Sequence, residues 1–532
     1  MEINQNYSAA DLKVMLNNNE IRAEGYHLEK FDLSFKENEH TKLVIGFEIK
    51  ENYKNDWSIY NRETVTGDLG NNTTFAVALR ERKYFSGIVQ EIVIHEREAG
   101  DIYIELLVYS KSELLDRTKI YRVYQNPEIR YIDIVKSIVG RYNGSITIVG
   151  INLGKESEEE ESADGLLYKK IRKGLIIQYY ETDWEFLVRI VSHLGMGVFN
   201  TENGGITIGF PQEIPKEWNS RNGNAGKGVN RENNIFYYLT STDYFTLGDN
   251  IVENMQKDMG FVTEGAIGYS SEKFYGRYST KPADYVYEYI ANENIKGCVI
   301  EGSVTAVPNS GKGKIAVMTV DFYSGLLKAA GNKIQNRRKV VSEGDWVFFK
   351  DSDKRFIFPY TTPYSQTNTG YFCTPEVFDT VAVNFPTTEE HEGYVVWAVN
   401  NEGNLRFSNP YIRNYTTREE RGSESVCYDF RLNKNSWLVE CAEQVTEIFT
   451  DKIVESRNNI IVNSDNNIVV ENKNEVSLLT KKYIVNVNDT YEENVRDRKS
   501  GEYGELTEDI NSARKVRCEL YDVTTGAYKV KQ

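Results

Sequence analysis

The chain has 532 residues, of which 40% are apolar and 27% charged, with 63 Lys+Arg against 79 Asp+Glu for a formal charge of −16. At about 150 residues per domain the length holds three or four domains, and the apolar content excludes a disordered chain. The negative charge argues against nucleic-acid or anionic-lipid binding, which needs a clustered positive field, and 36 Tyr and 23 Phe beside only 10 Pro favour half-buried strands over helical bundles. The chain is therefore expected to be mainly β.

The opening residues, Met1 to Asn6, lack the basic stretch and apolar run of a secretory signal, and no window approaches the roughly 18 apolar residues of a membrane span. Cys298, Cys373, Cys427, Cys441 and Cys518 are odd in number and far apart, with no CxxC pair, and read as buried thiols. Leu43 to Ile49 and Asp101 to Tyr109 alternate as strands, and Gly87 inside the Tyr84 to Gln90 run marks a bulge or barrel corner, so the first 120 residues read as a small β-barrel. Ile129, Ile132, Ile134, Val135 and Ile138 have helical spacing ending near Gly140, and the acidic run Glu156 to Asp164 reads as a solvated loop. A second helix spans Asp183 to Leu194, with Thr182 as N-cap and Gly195 at its end. After a strand at Gly205 to Phe210, the Asn- and Gly-rich stretch Pro215 to Asn234 reads as a surface loop, strands resume at Ile235 to Leu239, and the pattern pauses at Ala291 to Asn294.

Five short strands follow within about 100 residues, at Cys298 to Val304, Lys314 to Val320, Trp346 to Phe349, Thr380 to Phe385 and Tyr394 to Val399, which suits an OB-type barrel. Past a linker-like stretch the sequence enters an eight-residue period headed by Asn458, Asn466 and Asn474. Two places on come Ile460, Ile468, Val476 and Ile484, and two beyond those Val462, Val470 and Leu478, with Asn486 breaking the pattern. Spacing by two puts these residues on one strand face. One narrow strand set buries too little to offset backbone ordering at about 1–2 kcal/mol per residue. Three chains wound about one axis would bury the stripe and pair its edges; a solitary hairpin or sheet edge is the alternative.

Catalytic and metal signatures fail on inspection. His95-Glu96 and His391-Glu392 each begin an HExxH pattern, but Ala99 and Val395 stand where the second ligand is needed, so both histidines read as strand-edge residues. Gly311-Lys312-Gly313-Lys314 lacks the Walker spacing and reads as a hairpin turn. Asn463, Asp465 and Asn467 have EF-hand spacing, but Ile468 occupies the obligatory Gly position. No Gly-x-Ser-x-Gly elbow occurs. No enzyme, catalytic residue, cofactor or metal is expected.

Three stretches together resemble the VgrG and phage tail-hub family, of the late control D type. Tyr121-Arg122-Val123-Tyr124-Gln125 with the helix from Ile132 looks like the family's Arg-x-Phe-Gln element. Ile177-Gln178-Tyr179-Tyr180-Glu181-Thr182-Asp183-Trp184-Glu185-Phe186-Leu187 is similar to its QY-x-E-[ST]-D-x-x-F-L segment. Gly302 through Gly313, Pro375 to Phe385 and Val395 to Asn400 look like its OB domain, with Phe378 in place of a Gly and Trp397-Ala398 in place of the final Gly turn.

The resemblance implies a hub at 1–292 made of two tube-like β-barrel domains with short helices, an OB-fold barrel at 293–402, a linker at 403–445, and an intertwined trimeric β-helix spike with its tip segment at 446–532. The spike's core would be Ile460, Val462, Ile468, Val470, Val476, Leu478 and Ile484. It further implies a homotrimer that adapts a hexameric tail tube to a three-fold spike, with the tail tube protein, baseplate proteins and the target-cell envelope as partners. Assembly would take place in a bacterial cytoplasm, and the finished protein would sit at the tip of a particle. Some family spikes carry a metal on a His-x-His tip; His27, His40, His95, His193 and His391 all precede the repeat, so a separate small PAAR-like tip protein is expected instead. A trimeric receptor-binding fibre and a glycan-active enzyme on a β scaffold, with Tyr360 to Tyr371 as the sugar surface, are the alternatives.

Overall fold

The computed structural model describes residues 9–56, 73–79, 82–142, 144–148, 163–211, 214–232, 234–254, 256–308, 317–322, 355–363, 365–366, 369–370, 373–399, 413–418, 426–432, 437–441 and 444–488. The expected strand at Trp346 to Phe349, the Gly311 to Lys314 turn, most of the acidic run and the stretch Ser324 to Asp353, for which the sequence offers no reading, fall outside them. The chain divides into two units, 1–445 and 446–532.

The first unit begins with β1 (Leu12–Leu16), β2 (Asn19–Glu20), β3 (Tyr26–Lys36), β4 (Lys42–Ile49), β5 (Thr74–Leu79), β6 (Arg82–Glu96) and β7 (Ile102–Ser110). Alternation makes them strands: Ile102, Ile104, Leu106 and Val108 of β7 face inward with Leu43, Ile45, Phe47 and Ile49 of β4, all fully buried. Each such side chain contributes about 1.5–3 kcal/mol of transfer free energy. Gly87 of β6 is required by close approach, since a Cβ there would lie 2.2 Å from the Tyr109 carbonyl oxygen, and the register of β6 shifts just beyond it, between Val89 and Glu91.

Next come β8 (Ile120–Tyr124), α1 (Tyr131–Gly140), β9 (Ile176–Glu181) and α2 (Asp183–Ser192). Both helices match the sequence reading to within two residues at their starts and ends. Then follow β10 (Val198–Asn200), β11 (Ile206–Ile208), β12 (Lys216–Trp218), β13 (Ala225–Val229), β14 (Ile235–Ser241), β15 (Asn250–Glu253), β16 (Lys257–Ser270) and β17 (Lys273–Lys281). The stretch expected as the Pro215 to Asn234 surface loop thus contains two strands. β13 is a glycine-bearing, solvent-facing edge paired with β14, so it lacks the apolar alternation that marks a strand.

Strands from both halves join through the antiparallel pairing of β16 with β3, giving one 13-stranded sheet whose main path runs β13-β14-β17-β16-β3-β4-β7-β6-β5-β1-β2. Where the family resemblance implies two tube-like barrels, the strands of both halves form one continuous sheet with one core. β8 and β9 pair as a separate two-stranded ribbon. One face of this ribbon, with Tyr124 and Ile176, packs into the core of α1 and α2; its other face, with Tyr121, Val123, Ile177 and Tyr179, belongs to the core of the following barrel.

That barrel contains β18 (Cys298–Ala306), β19 (Val317–Asp321) and β20 (Ile357–Pro359), then a minor hairpin of β21 (Ser365–Gln366) and β22 (Thr369–Gly370), then β23 (Thr380–Phe385) and β24 (Tyr394–Ala398). Its order is β20-β19-β18-β23-β24, and a parallel bridge from Tyr360 to Val395 brings the two ends together. Ile300, Val304, Met318, Val320, Phe358, Val381 and Val383 fill it. Residues 403–445, expected as a linker, contain a three-stranded antiparallel sheet of β25 (Arg413–Arg418), β26 (Val426–Leu432) and β27 (Trp437–Cys441). The alternation Val426, Tyr428, Phe430, Leu432 was present, but Arg, Asn and Lys around it resemble a solvated connection.

The described part of the second unit bends at residues 450, 457–458, 465–466, 473–474, 481 and 488, about one bend per octad, and its described residues form no strand.

Candidate assembly sites

The first two motif stretches of the sequence meet in one buried polar network. Arg122 of β8 donates to Gln178 Oε1 at 3.0 Å and to the Asp183 carboxylate. Gln178 Nε2 donates in turn to the Glu181 and Thr182 carbonyls and to Asp183 Oδ1 at 3.1–3.2 Å, and the Tyr142 hydroxyl reaches Asp183 Oδ2 at 2.9 Å. Thr182 caps α2: its Oγ1 accepts from Glu185 N at 3.1 Å while Glu185 Oε2 accepts from Thr182 N at 2.8 Å, a capping box. The family-like segment is therefore a helix start and a set of buried partners.

Arg189 of α2, 1% exposed, makes a bidentate pair with Glu181 at 2.7 and 2.9 Å and donates to the Ile177 carbonyl at 2.9 Å. It also donates at 3.1 Å to Glu390, which lies in the 3-10 turn Glu390–Glu392 just before β24. Burial works against the guanidinium's charge, but Glu181 and then Glu390 more than offset it and hold it firmly protonated. Asn292, at the expected boundary between hub and OB barrel, is 1% exposed and donates to Ile177 O at 2.8 Å and Glu390 Oε1 at 3.0 Å. Sequence reasoning missed Arg189, Asn292 and Glu390 as a group, because nothing in periodicity pairs residues some 100 to 200 positions apart.

The second candidate site is the octad stripe. Ile460, Val462, Ile468, Val470, Val476, Leu478 and Ile484 are all 58–73% exposed in the single chain. Ser456, Ser464, Asn472 and Thr480, spaced by eight, supply the turns: Ser456 Oγ donates to Asn459 O at 2.8 Å, Ser464 Oγ to Asn467 O at 3.0 Å and Thr480 Oγ1 to Lys482 O at 2.9 Å, while Asn472 Oδ1 accepts from Asn474 N at 2.8 Å. These are ST and Asx turns. Their period of eight is that of the apolar stripe.

Phe378, which replaces the family's Gly, adopts φ +75° and is 62% exposed, so the turn keeps a left-handed backbone with a side chain that disfavours it. Trp397, at the other departure, is 63% exposed. His95 lies within β6, its ring stacked on Tyr103, and His391 lies in the 3-10 turn beside Glu389. Among the described residues no three His, Cys, Asp or Glu side chains gather as metal ligands, and no helix is long and apolar enough to cross a membrane.

Residues 65–210 match the family model described as phage tail baseplate hub (GPD). This span contains the first two motif stretches, and the resemblance to the VgrG and phage tail-hub kind drawn from them is borne out there. Among solved structures, the chain is similar to the E. coli c3393 protein, a component of the type VI secretion system with structural similarity to T4 bacteriophage tail proteins gp27 and gp5, at 12% identity and TM-score 0.45, covering 70% of this chain and 96% of that one. It is similar to the 43 kDa tail protein of prophage MuSo2 from Shewanella oneidensis at 11% identity and TM-score 0.37, covering 52% and 99%. The Francisella PdpA-VgrG complex matches at 10% identity and TM-score 0.44, covering 80% and 76%. No curated protein matches the chain.

Proposed function

We propose that the chain is the central hub and spike subunit of a contractile injection system baseplate: three copies adapt a hexameric tail tube to a three-fold spike and transmit contraction force to a target envelope. The observation that carries this reading is the octad stripe, seven Ile, Val and Leu side chains held more than half exposed on a segment with no strand partner among its own described residues. Apolar side chains repeated at fixed spacing and left in water are unfavourable in a lone chain, and two further copies would cover them and pair the backbone. The baseplate-hub match over residues 65–210 supports the other half of the reading.

In this reading the tail tube protein and other baseplate proteins dock on the hub, a separate small tip protein sharpens the spike, and no catalytic group takes part. Light scattering of the purified chain, with negative-stain images of the same peak, tests it. Three times the 61.2 kDa of one chain, about 184 kDa, in a tapered particle is the expected result. A compact particle of single-chain mass removes the spike.

A further inference from the structure

We propose that Glu390 is a positioning residue that fixes the seat of the OB barrel on the hub, an inference that rests on the hub-spike reading for its purpose. The contact between hub and barrel is largely apolar: Tyr121, Val123, Leu175, Ile177 and Tyr179 of the ribbon region share one core with the barrel strands. Apolar burial is non-directional, so it gives adhesion with little choice among rotations of the barrel on the ribbon. Direction comes from groups with fixed geometry. The single oxygen Glu390 Oε1 collects Arg189 Nη1 at 3.1 Å from α2, Asn292 Nδ2 at 3.0 Å from the connecting segment, and Ile177 N at 3.4 Å from β9. Other bonds also cross, among them Phe356 N to Gln125 O at 2.8 Å, Asn294 Nδ2 to Tyr180 O at 3.2 Å, Tyr289 with Glu389 and Tyr179 with Cys298, but each is one bond at one point.

The cluster is not needed to neutralise Arg189, which keeps a bidentate partner in Glu181. A second buried carboxylate is therefore costly to desolvate and redundant for charge; its return is the choice of one arrangement over others. Three copies can bring their spike segments to one axis only if each barrel leaves its hub at the same angle, and Glu390 sets that angle.

The test uses the full chain with paired spin labels on an unnatural keto amino acid at Glu272, in the exposed turn between β16 and β17, and at Val299 on β18, diluted into unlabelled chain. Glu390→Met fills the site without charge and leaves Arg189 paired. Its distance distribution is expected to widen roughly twofold with far-UV circular dichroism unchanged, and Glu390→Gln, which keeps an acceptor for Arg189 and Asn292, is expected to restore the wild-type width. A Glu390→Met distribution as narrow as wild type, or a Glu390→Gln distribution as wide as Glu390→Met, overturns the proposal. Should Glu390→Met fail to fold, Asn292→Ala decides: a widened distribution supports the seat and an unchanged one overturns it. Light scattering of the wild type separates the two readings, since a single-chain mass with the expected widths leaves the seat standing and removes the spike.

Discussion

His193 shows how burial of one side chain becomes a pH dependence. It ends α2 with Nδ1 3.4 Å from the Tyr131 hydroxyl and its ring stacked on Tyr289 at 4.6 Å; burial, and then the charge of Arg189, push its pKa down from 6.5 to about 3. Above pH 6.5 the imidazole is neutral in both folded and unfolded chains and this term is fully favourable. As pH falls below 6.5 the unfolded chain takes up a proton that the folded one refuses, so stability drops by about 1.4 kcal/mol per pH unit toward pH 3. Urea midpoints at pH 7.5 and 5.0 should therefore separate more for wild type than for His193→Gln, and equal separations refute the assignment. Phe378 gives a second test at this scale. An exposed aromatic at φ +75° bears a left-handed penalty that glycine escapes, partly offset by glycine's greater freedom when unfolded. Phe378→Gly is expected to stabilise by about 0.5–1 kcal/mol, read as a raised urea midpoint; a lowered midpoint means that the ring has a packing role.

The ribbon of β8 and β9 with α2 stands or falls on its buried ion pair. Arg122 is 7% and Asp183 1% exposed, so Arg122→Leu strips the carboxylate of its hydrogen-bonded cation and should cost about 3–5 kcal/mol, whereas Arg122→Leu combined with Asp183→Leu should recover part of that loss. Urea unfolding of the two single variants and the double variant measures it, and a double-variant loss equal to the sum of the single losses would show that no coupling exists. How much of this was legible follows from the kind of signal each element carries. α2 could be placed from Thr182, Glu185 and the apolar spacing of Trp184, Leu187 and Val191, because caps and period are local. β7 was legible because it alternates; β13 was not, because its Gly-Lys-Gly run faces water, and β26 was passed over despite its alternation because charged neighbours mask it. Arg122 and Asp183 could be recognised only as members of family-like strings, and Arg189 with Glu390 lay in none of them, since side-chain pairing across 61 and 201 positions leaves no periodic trace.

At the scale of the whole molecule the proposed three-chain spike depends on which face of the octad segment is covered. Ile460, Val462, Ile468 and Val470 lie on one side by period two, yet Ile461 and Val469 between them are also apolar and 72–74% exposed, so composition alone does not choose the side. The choice rests on persistence: the stripe through Ile468 runs to Val476, Leu478 and Ile484, whereas the position of Ile461 and Val469 becomes Ser477 in the next octad. A face packed about a three-fold axis tolerates no such gap, because three polar groups would meet there without partners. Ile468→Asp places three carboxylates at that axis and is expected to reduce the particle to single-chain mass by light scattering. Val469→Asp puts its charges on the outer face and should leave the three-chain mass intact. The reverse pattern would shift the covered face by one residue, which in a strand moves every side chain to the other side, and a three-chain mass for both variants would mean that the octads do not hold the copies together.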